Sequence, residues 1–481
     1  MIFYELYLRS FFDGNGDGIG DFSGLNKKLD YFVNLGITHI WLLPIMKSPS
    51  FHGYTITDFY NTNPLYGNLE ELKETLKNGH NKGLKFVLDI PVNHVSINHP
   101  WFQKALNGDK KYENYFIWSN DKTDINEKRH WGNNINIWHK VNDKYFYGLF
   151  GPGSPELNFE NKNLWNEMKK IFSFWLEIGF DGFRLDAAKH IFDYNIKEMK
   201  FEYQHEKNIS FWKEMISHIK SINPNSTIIS EVWDDPKIVK KYNGIFEIGF
   251  NFPFSYDLKE SLKRNSTKKF INGLKNSMEN YLNEEKIITN SGNFLTNHDM
   301  TRLMSELKTI EKVKFSIAML MTLPGNPFIY YGEELGMKGK LSNVDFTEDA
   351  EEPLQWYSCG YGIGQTEWKN IKFNKPYSGV SFEEQINNET SILNFLKSVI
   401  AFRKENDWIS EAKIKILYSN KNMVKLSVFN RLNEFIIYYN FKSHEIKLDN
   451  FDTSKIIKIF GNFNKKNKSL EKYSILVLKG R

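Results

Sequence analysis

Short apolar runs along the chain alternate with longer segments in which apolar residues recur every three or four positions. The runs predict buried strands, and the longer segments predict amphipathic helices. The predicted strands are residues 2–8, 37–43, 84–90, 180–186, 227–232, 245–250, 293–297 and 327–331. The predicted helices between them include residues 25–36, 69–83, 211–222 and 391–406. Eight strands that alternate with helices predict an α/β fold, a (β/α)8 barrel of the TIM type.

Two stretches depart from this alternation. Residues 95–160, after the third strand, are rich in Asn, Asp, Trp and Gly and contain no clear strand–helix pair, which indicates an inserted subdomain. Near residue 405 the pattern changes to successive alternating strands, which predicts an antiparallel β-sandwich. We therefore expect a barrel of residues 1–94 and 161–404, an inserted subdomain of residues 95–160 and a C-terminal β-domain of residues 405–481.

Composition narrows the class of protein. The 481 residues include 63 basic and 58 acidic side chains, mixed along the chain without an arginine-rich stripe, so a nucleic acid is not an expected partner. No apolar run reaches the roughly 18 residues of a membrane span, and no membrane association is expected. The single cysteine, Cys359, excludes an internal disulfide. The start of the chain lacks signal-peptide features, which predicts a cytoplasmic protein unless a signal peptide has been removed.

Reactive side chains follow four of the predicted strands. They are Asp89, Asn93 and His94 after the third strand; Arg184, Asp186, Lys189 and His190 in and after the fourth; Glu231 after the fifth; and Asn297, His298, Asp299 and Arg302 after the seventh. Since the carboxyl ends of barrel strands meet at one mouth, we expect these side chains to converge. Glycoside hydrolysis needs such a group, because one carboxyl protonates the leaving oxygen while another attacks the anomeric carbon. A single Asp at a strand end is more often a helix cap, but four such motifs on ordered strands are hard to explain as caps.

The loop after the first strand, DGNGDGIGD, spaces its oxygen-bearing side chains as D-x-N-x-D-G-x-x-D. Its candidate ligands for a hard cation are Asp13, Asn15, Asp17, the carbonyl of Ile19, and Asp21. Calcium accepts six to eight oxygens in irregular cages, so that ion suits the pattern. An EF-hand is disfavoured because Gly24 stands where its bidentate Glu is required. A solvated turn without an ion is the alternative.

The strand-end motifs resemble those of a known family. DIPVNH, GFRLDAAKH, EVWD and FLTNHD are similar, in order, to the four conserved stretches of the α-amylase family of glycoside hydrolases. GITHIWLLP (36–44), GNPFIYYGEE (325–334) and SPELN (154–158) resemble further motifs of that family. The resemblance extends from about residue 3 to residue 404, and a C-terminal β-domain is usual in the family.

The resemblance implies a role for each carboxylate. Asp186 would be the nucleophile that forms a covalent glycosyl-enzyme, and Glu231 the general acid and then the base for water. Asp299 would hold sugar hydroxyls and strain the ring. Arg184 lies two residues before Asp186 on a strand, so both face the same side, and its charge would keep Asp186 ionised. A double displacement of this kind retains the anomeric configuration.

Further residues are implied to bind substrate. Tyr54, Asp58, His94, His298 and Arg302 would contact or support the −1 sugar, and Lys189 and His190 would contact the +1 and +2 sugars. The alternatives are that His94 and His298 are core histidines, that Tyr54 only packs, and that Lys189 and His190 only end a loop. Most Trp residues of the insertion are expected in that subdomain's core, although some could be sugar platforms.

The resemblance also bears on metals. Several branches of the family bind a structural calcium in the loop after the first strand, which favours calcium at Asp13–Asp21. A second calcium lies between barrel and insertion in many amylases. Its ligands here would be Asn93, Glu156 and the carbonyl of His190, with Glu156 in place of the more usual Asp.

Within the family, the motifs AAKH and EVWD are similar to those of amylases, whereas SPELN is closer to oligoglucosidases. This mixture resembles the amylase subgroup between oligo-1,6-glucosidases and neopullulanases. We therefore expect a monomeric hydrolase of α-1,4-glucans and maltooligosaccharides. The alternatives are an α-glucosidase, including an oligo-1,6-glucosidase, or a 4-α-glucanotransferase. A non-catalytic homologue is disfavoured because all three carboxylates are present.

Overall fold

The computed structural model describes residues 1–131, 134–281, 291–341, 348–448 and 452–480. Eight parallel strands form a closed barrel in which each strand pairs with its chain neighbours and the last pairs with the first. The barrel strands are Phe3–Leu6, His39–Leu42, Lys85–Pro91, Gly182–Asp186, Thr227–Ser230, Ile248–Phe250, Ser291–Asn293 and Asn326–Tyr330. The predicted (β/α)8 barrel is thereby confirmed.

The sixth and seventh barrel strands differ from their predictions. The sixth was predicted at residues 245–250, but only Ile248–Phe250 pairs with its neighbours. The seventh was predicted at residues 293–297, whereas the paired strand is Ser291–Asn293. Apolar side chains beyond Asn293 are buried although their backbone has left the sheet. The apolar pattern therefore indicates burial, and backbone pairing ends before burial does.

Aromatic rings fill the barrel beneath its mouth. The ring of Phe3 stacks on Phe328 at 4.3 Å between centroids. The indole of Trp41 packs against Phe250 at 5.3 Å and edge-on against Phe328 at 6.2 Å. These side chains come from the first, second, sixth and eighth strands, so they join opposite walls of the barrel and form a solid floor for the mouth.

Helices surround the barrel and join it to the remainder of the chain. The α-helices are Phe22–Lys27, Leu29–Leu35, Leu69–Asn81, Pro100–Leu106, Lys110–Glu113, Lys162–Ile178, His205–Ile222, Pro236–Val239, Phe252–Lys263, Lys268–Asn280, Leu303–Leu307, Ile310–Thr322, Phe382–Ile386 and Ile392–Glu405. Leu69–Asn81 shows why a helix begins where it does: Asn68 and Glu71 form a reciprocal capping box at its N-terminus. Among the described residues, none of these helices is both long and apolar enough to cross a bilayer.

The segment after the third strand folds around its own aromatic cluster. It contains the hairpin Trp138–Val141 and Lys144–Tyr147, and the ring of Phe102 stacks on Trp118 at 5.8 Å. Trp138 is buried, whereas Trp131 is partly exposed. Two further short hairpins lie in loops near the barrel mouth: Met46–Lys47 with Asp58–Thr62, and Tyr194–Asn195 with Lys200–Phe201.

The C-terminal part is antiparallel. Five strands pair in the order Lys413–Ser419, Met423–Phe429, Glu434–Asn440, Ile475–Lys479 and Ile456–Phe460. A three-stranded sheet contains Ile446–Lys447, Ser469–Leu470 and Phe463–Asn464. The helix Ile310–Thr322 packs between barrel and sheet, with Phe315 against Phe441 at 5.3 Å. The exact limits of the three domains stay a prediction.

Candidate active site

A single guanidinium lies at the centre of the barrel mouth. Arg184 is fully buried on the fourth strand, and its Nη1 donates to Asp186 at 2.5 Å and to both oxygens of Asp89 at 2.9 and 3.1 Å. Its Nη2 pairs with Glu231 at 3.0 Å. Three strands thus direct a carboxylate at one cation. Because a buried charge is costly unless it is paired, this arrangement keeps the three acids close together in one orientation.

The backbone also fixes Glu231. Its Oε2 accepts a hydrogen bond of 2.9 Å from the N–H of Ala187. Ala187 has a φ of +46°, a conformation that is unfavourable for a residue with a Cβ. This strained turn directly after Asp186 aims the N–H at Glu231, so the two carboxylates are positioned by the same turn as well as by Arg184.

Tyr54 and His298 connect this group to the opposite side of the mouth. The Tyr54 hydroxyl donates to Asp89 at 2.9 Å and lies 2.8 Å from Nε2 of His298. The two rings are stacked at 5.5 Å. Nε2 of His298 is also 3.3 Å from the carboxylate of Asp299. A continuous network therefore joins the residues predicted to be catalytic.

His298 and His94 carry different charges. Burial lowers the pKa of His298, but Asp299 and Glu5 outweigh burial and raise its pKa to about 10. Glu5 contacts Nδ1 of His298 at 2.6 Å, and both side chains are buried. Burial lowers the pKa of His94 to about 4. At neutral pH the mouth thus has one cationic histidine, a charged donor, and one neutral histidine.

Lys189 and His190 follow the fourth strand and make contacts within the protein. Nζ of Lys189 donates to the carbonyl of Trp233 and to the carboxylate of Asp234, each at 2.7 Å. Nδ1 of His190 lies 2.9 Å from Asp193. Lys189 and His190 are both buried. Their predicted contacts with the +1 and +2 sugars stay a prediction.

Two residues that were expected at the −1 sugar lie outside this network. The carboxylate of Asp58 accepts from the N–H of Tyr60 and from the side chain of Asn61, both at 2.8 Å, and it lines a separate cavity. Arg302 is fully buried, and its guanidinium donates to the backbone carbonyls of Ala350 and Tyr331 at 2.6 Å. These contacts hold neighbouring loops, so the structure does not join Asp58 or Arg302 to the carboxylates.

Two further carboxylates are part of the network: Asp89, which was expected at the mouth but was given no role, and Glu5, which the sequence interpretation did not select. Asp89 binds Arg184, Tyr54 and the indole N–H of Trp41. Glu5, on the first strand, holds His298. A carboxylate within an otherwise apolar strand is the signal that could have identified Glu5 and a charged partner for Asp89, since burying an unpaired charge there is unfavourable.

In the predicted calcium loop, side-chain oxygens accept backbone N–H groups. Asp13 accepts from Asn15, Gly16 and Gly18, and Asp21 accepts from Gly14 and Gly24. Burial raises the pKa of Asp21, and the charges of Asp13 and Asp17 add to that rise.

A carboxylate has about four lone-pair sites, so these bonds leave room for a cation that would relieve the repulsion between the three acids. The donor set therefore fits a hard ion. The described residues nevertheless contain no group of three or more His, Cys, Asp or Glu side chains arranged around one metal position. Calcium stays a prediction.

The three candidate ligands of a second calcium are brought together and hydrogen-bonded to one another. Nδ2 of Asn93 donates to the carbonyl of His190 at 2.7 Å and to Glu156 at 3.3 Å. Burial raises the pKa of Glu156, and the charge of Asp193 adds to that rise. The amide of Asn93 thus already links the two oxygens that an ion would link, and the second calcium stays a prediction.

Comparison with known proteins gives consistent matches. The alpha-amylase catalytic-domain family model matches residues 5–412. A 4-alpha-glucanotransferase of Thermotoga maritima is 39% identical over 451 residues, covering 93% of this chain and 97% of that protein. Alpha-amylase 3 of Dictyoglomus thermophilum is 37% identical over 459 residues, covering 93% of this chain and 87% of that protein. The crystal structure of the alpha-amylase from H. orenii superposes with a TM-score of 0.88 at 33% identity, over 100% of this chain and 99% of that chain.

Proposed function

Because the chain belongs to the α-amylase family, we propose that it is a retaining glycoside hydrolase of α-1,4-glucosidic bonds in starch-type glucans and maltooligosaccharides. Membership of the family makes the chain an enzyme that acts on glycosidic bonds. The observation that carries the finer proposal is the guanidinium of Arg184, which binds Asp186 and Glu231 through neighbouring nitrogens. Retaining enzymes need two carboxyl groups about 5–5.5 Å apart, and one shared guanidinium favours such close spacing.

In the proposed mechanism, Asp186 attacks the anomeric carbon while Glu231 donates a proton to the glycosidic oxygen. The bond to the leaving sugar breaks, and the −1 sugar becomes an ester of Asp186. Glu231 then removes a proton from water, the water oxygen attacks the anomeric carbon, and Asp186 leaves as a carboxylate. Arg184 orients the carboxylate of Asp186 for the attack and pairs with it again when it leaves. Cationic His298 and neutral His94 would donate hydrogen bonds to oxygen atoms of the sugar. Asp299 would accept hydrogen bonds from sugar hydroxyl groups.

Transfer to a second sugar is the alternative outcome of the same chemistry. A sugar hydroxyl in place of water would give a 4-α-glucanotransferase, the activity named for the Thermotoga maritima relative. Trp233 favours this alternative, because it lies two residues after Glu231, is 39% exposed and stacks on Phe252 at 4.5 Å. An exposed indole held flat beside the acid is a suitable platform for an incoming sugar.

A product profile over time separates these functions. The substrates are soluble starch, maltoheptaose, maltose, isomaltose, sucrose and trehalose. Early mixed maltooligosaccharides from starch, with isomaltose untouched, are expected from the hydrolase. Products longer than maltoheptaose would identify the glucanotransferase, and glucose released one unit at a time would identify an α-glucosidase.

We also propose calcium as a structural ion of the loop Asp13–Asp21. The oxygens of Asp13, Asn15, Asp17 and Asp21 and the carbonyl of Ile19 would hold it, and the ion takes no part in the reaction. Its contribution would be to neutralise the three neighbouring carboxylates and to fix the first loop at the barrel mouth.

A further inference from the structure

A cavity of about 510 Å³ lies outside the network of Arg184. Its walls come from two chain segments. One is the hairpin strand Asp58–Thr62 with its partner residue Lys47, and the other is the start of the insertion, from Asn98 to Trp101. A volume of this size falls within the range of about 300–1,000 Å³ that is typical of small-ligand sites.

Both walls continue directly from segments of the candidate active site. Asp58 is four residues beyond Tyr54, and Asn98 is four residues beyond His94. Four residues span at most about 14 Å even when fully extended. The cavity therefore lies within a few sugar lengths of the barrel mouth, and one extended ligand chain could reach both.

Aromatic rings form the apolar part of the cavity wall. Tyr60 and Trp101 are partly exposed there. Trp101 is held in place by an edge-on contact with Tyr115 at 5.4 Å and a tilted contact with Phe59 at 5.9 Å. Burial raises the pKa of Tyr60 to about 12, so its hydroxyl remains a hydrogen-bond donor at neutral pH. Rigid rings with a polar edge suit a ligand that has flat apolar faces and hydroxyl groups.

The polar part of the wall is balanced in charge. Asp58 supplies a carboxylate, Lys47 an ammonium and Asn98 an amide. The contacts of Asp58 with Tyr60 and Asn61 fix its orientation and leave lone pairs for ligand hydroxyls. A phosphate ligand would require an excess of cationic side chains in the wall. A metal ion would require an excess of oxygen-bearing side chains. One acid, one base and one amide around two aromatic rings match a neutral sugar better than either.

We propose that this cavity is an accessory binding site for an α-1,4-glucan, which holds part of a long chain while another part occupies the barrel mouth. The identity of the glucan rests on the proposed function. Occupation of the cavity raises the effective concentration of the polymer at the carboxylates. Short substrates that fill only the mouth gain nothing from it.

The test compares a long with a short substrate. We expect Tyr60→Ala and Trp101→Ala each to lower kcat/KM for glycogen about fivefold or more while leaving kcat/KM for maltotriose unchanged. Tyr418→Ala, which removes an exposed tyrosine of the C-terminal sheet, is the matched control and should change neither. Unchanged melting temperatures of the variants exclude unfolding as the cause. If one of the two single variants does not fold, the other still tests the proposal.

Two outcomes overturn the proposal: equal losses on both substrates, which would make the cavity part of the mouth, or no loss on glycogen. Asp58→Asn adds a second test. A lower kcat/KM for maltotriose in this variant would indicate that Asp58 supports the −1 sugar and not the accessory site. If the parent chain turns over neither substrate, the proposed function fails on its own. In that case, a native gel that contains glycogen tests the accessory site by itself. If glycogen retards the parent chain more than the Trp101→Ala variant, the site is supported. Equal retardation of the two proteins excludes it.

Discussion

Asp186 ends the fourth barrel strand and Asp21 lies in the loop after the first; both are buried carboxylates, yet they are held in different ways. The partner of Asp186 is the side chain of Arg184, which also binds acids from two other strands. The partners of Asp21 are backbone N–H groups of Gly14 and Gly24, within seven residues. Charged side chains brought from distant strands create a site with reactive geometry, whereas local backbone bonds create a shaped loop.

The largest effect is expected from Glu231→Gln, which keeps the hydrogen bonds of the mouth but removes the transferable proton. Turnover of maltoheptaose should fall by at least about 10²–10⁴-fold, the usual contribution of a general acid. The readout is kcat across pH. Near-normal turnover with an unchanged pH profile would remove Glu231 from its role and weaken the contrast between the mouth and the loop.

Arg184→Met tests whether the mouth depends on its central cation. Leaving Asp89, Asp186 and Glu231 without their shared partner should lower the free energy of unfolding by about 3–5 kcal/mol, measured by urea denaturation. The matched control is Lys73→Met, which breaks the exposed pair with Glu70 and should cost about 0–1 kcal/mol. Equal costs for the two variants would contradict a special electrostatic role for Arg184.

Removal of calcium should act on the loop and leave the mouth intact. If the loop Asp13–Asp21 binds the ion, calcium at 100 times its Kd stabilises the chain by about 2.7 kcal/mol, and EDTA should lower the melting temperature accordingly. Asp13→Asn should abolish that response. A melting curve indifferent to both EDTA and added calcium would leave the loop as a turn held by backbone bonds alone.

Glu5→Gln should destabilise the chain most at and below neutral pH and least in alkali. Because the pKa of His298 is raised to about 10 in the folded chain, its stabilising charge is fully present below about 6.5 and is lost as pH rises through 10. Its neighbours are Glu5, Asp299, Tyr54 and Arg184. Without the charge of Glu5, the pKa of His298 in the folded chain falls, so we expect the alkaline decline in melting temperature to be smaller and to end at lower pH. An unchanged decline between pH 7 and 10 would show that Asp299 alone sets the charge of His298.

The same division between local and distant contacts separates the features that the sequence predicts from those that it misses. The eight-strand barrel was predictable because each strand carries its own apolar pattern. The convergence of Asp186 and Glu231 follows from strand order. Glu5 was missed because its partner, His298, is 293 residues away and no local pattern links them. The seventh strand was displaced because the apolar Phe294 and Leu295 are buried outside the sheet.

Resemblance alone gave Asp58 and Arg302 a supporting role for the −1 sugar, and physical reasoning from the residues had no part in those assignments. The structure gives both side chains other partners: backbone carbonyls for Arg302 and the neighbouring hairpin for Asp58. Their predicted support of the −1 sugar stays a prediction, because contacts within the protein do not show what either side chain does with a substrate bound.

The pairing of the first barrel strand with the last has a consequence for synthesis of the chain. Phe3 pairs with Phe328, and the hydroxyl of Tyr4 binds Glu334, 330 residues further along. At about 5–20 residues per second, the ribosome needs roughly 15–70 s to deliver the closing strand. Until then His298 and Glu5 cannot meet within a closed barrel. We therefore expect nascent chains that end before residue 326 to lack activity, because the eighth strand that closes the barrel beneath the network of Arg184 is then missing.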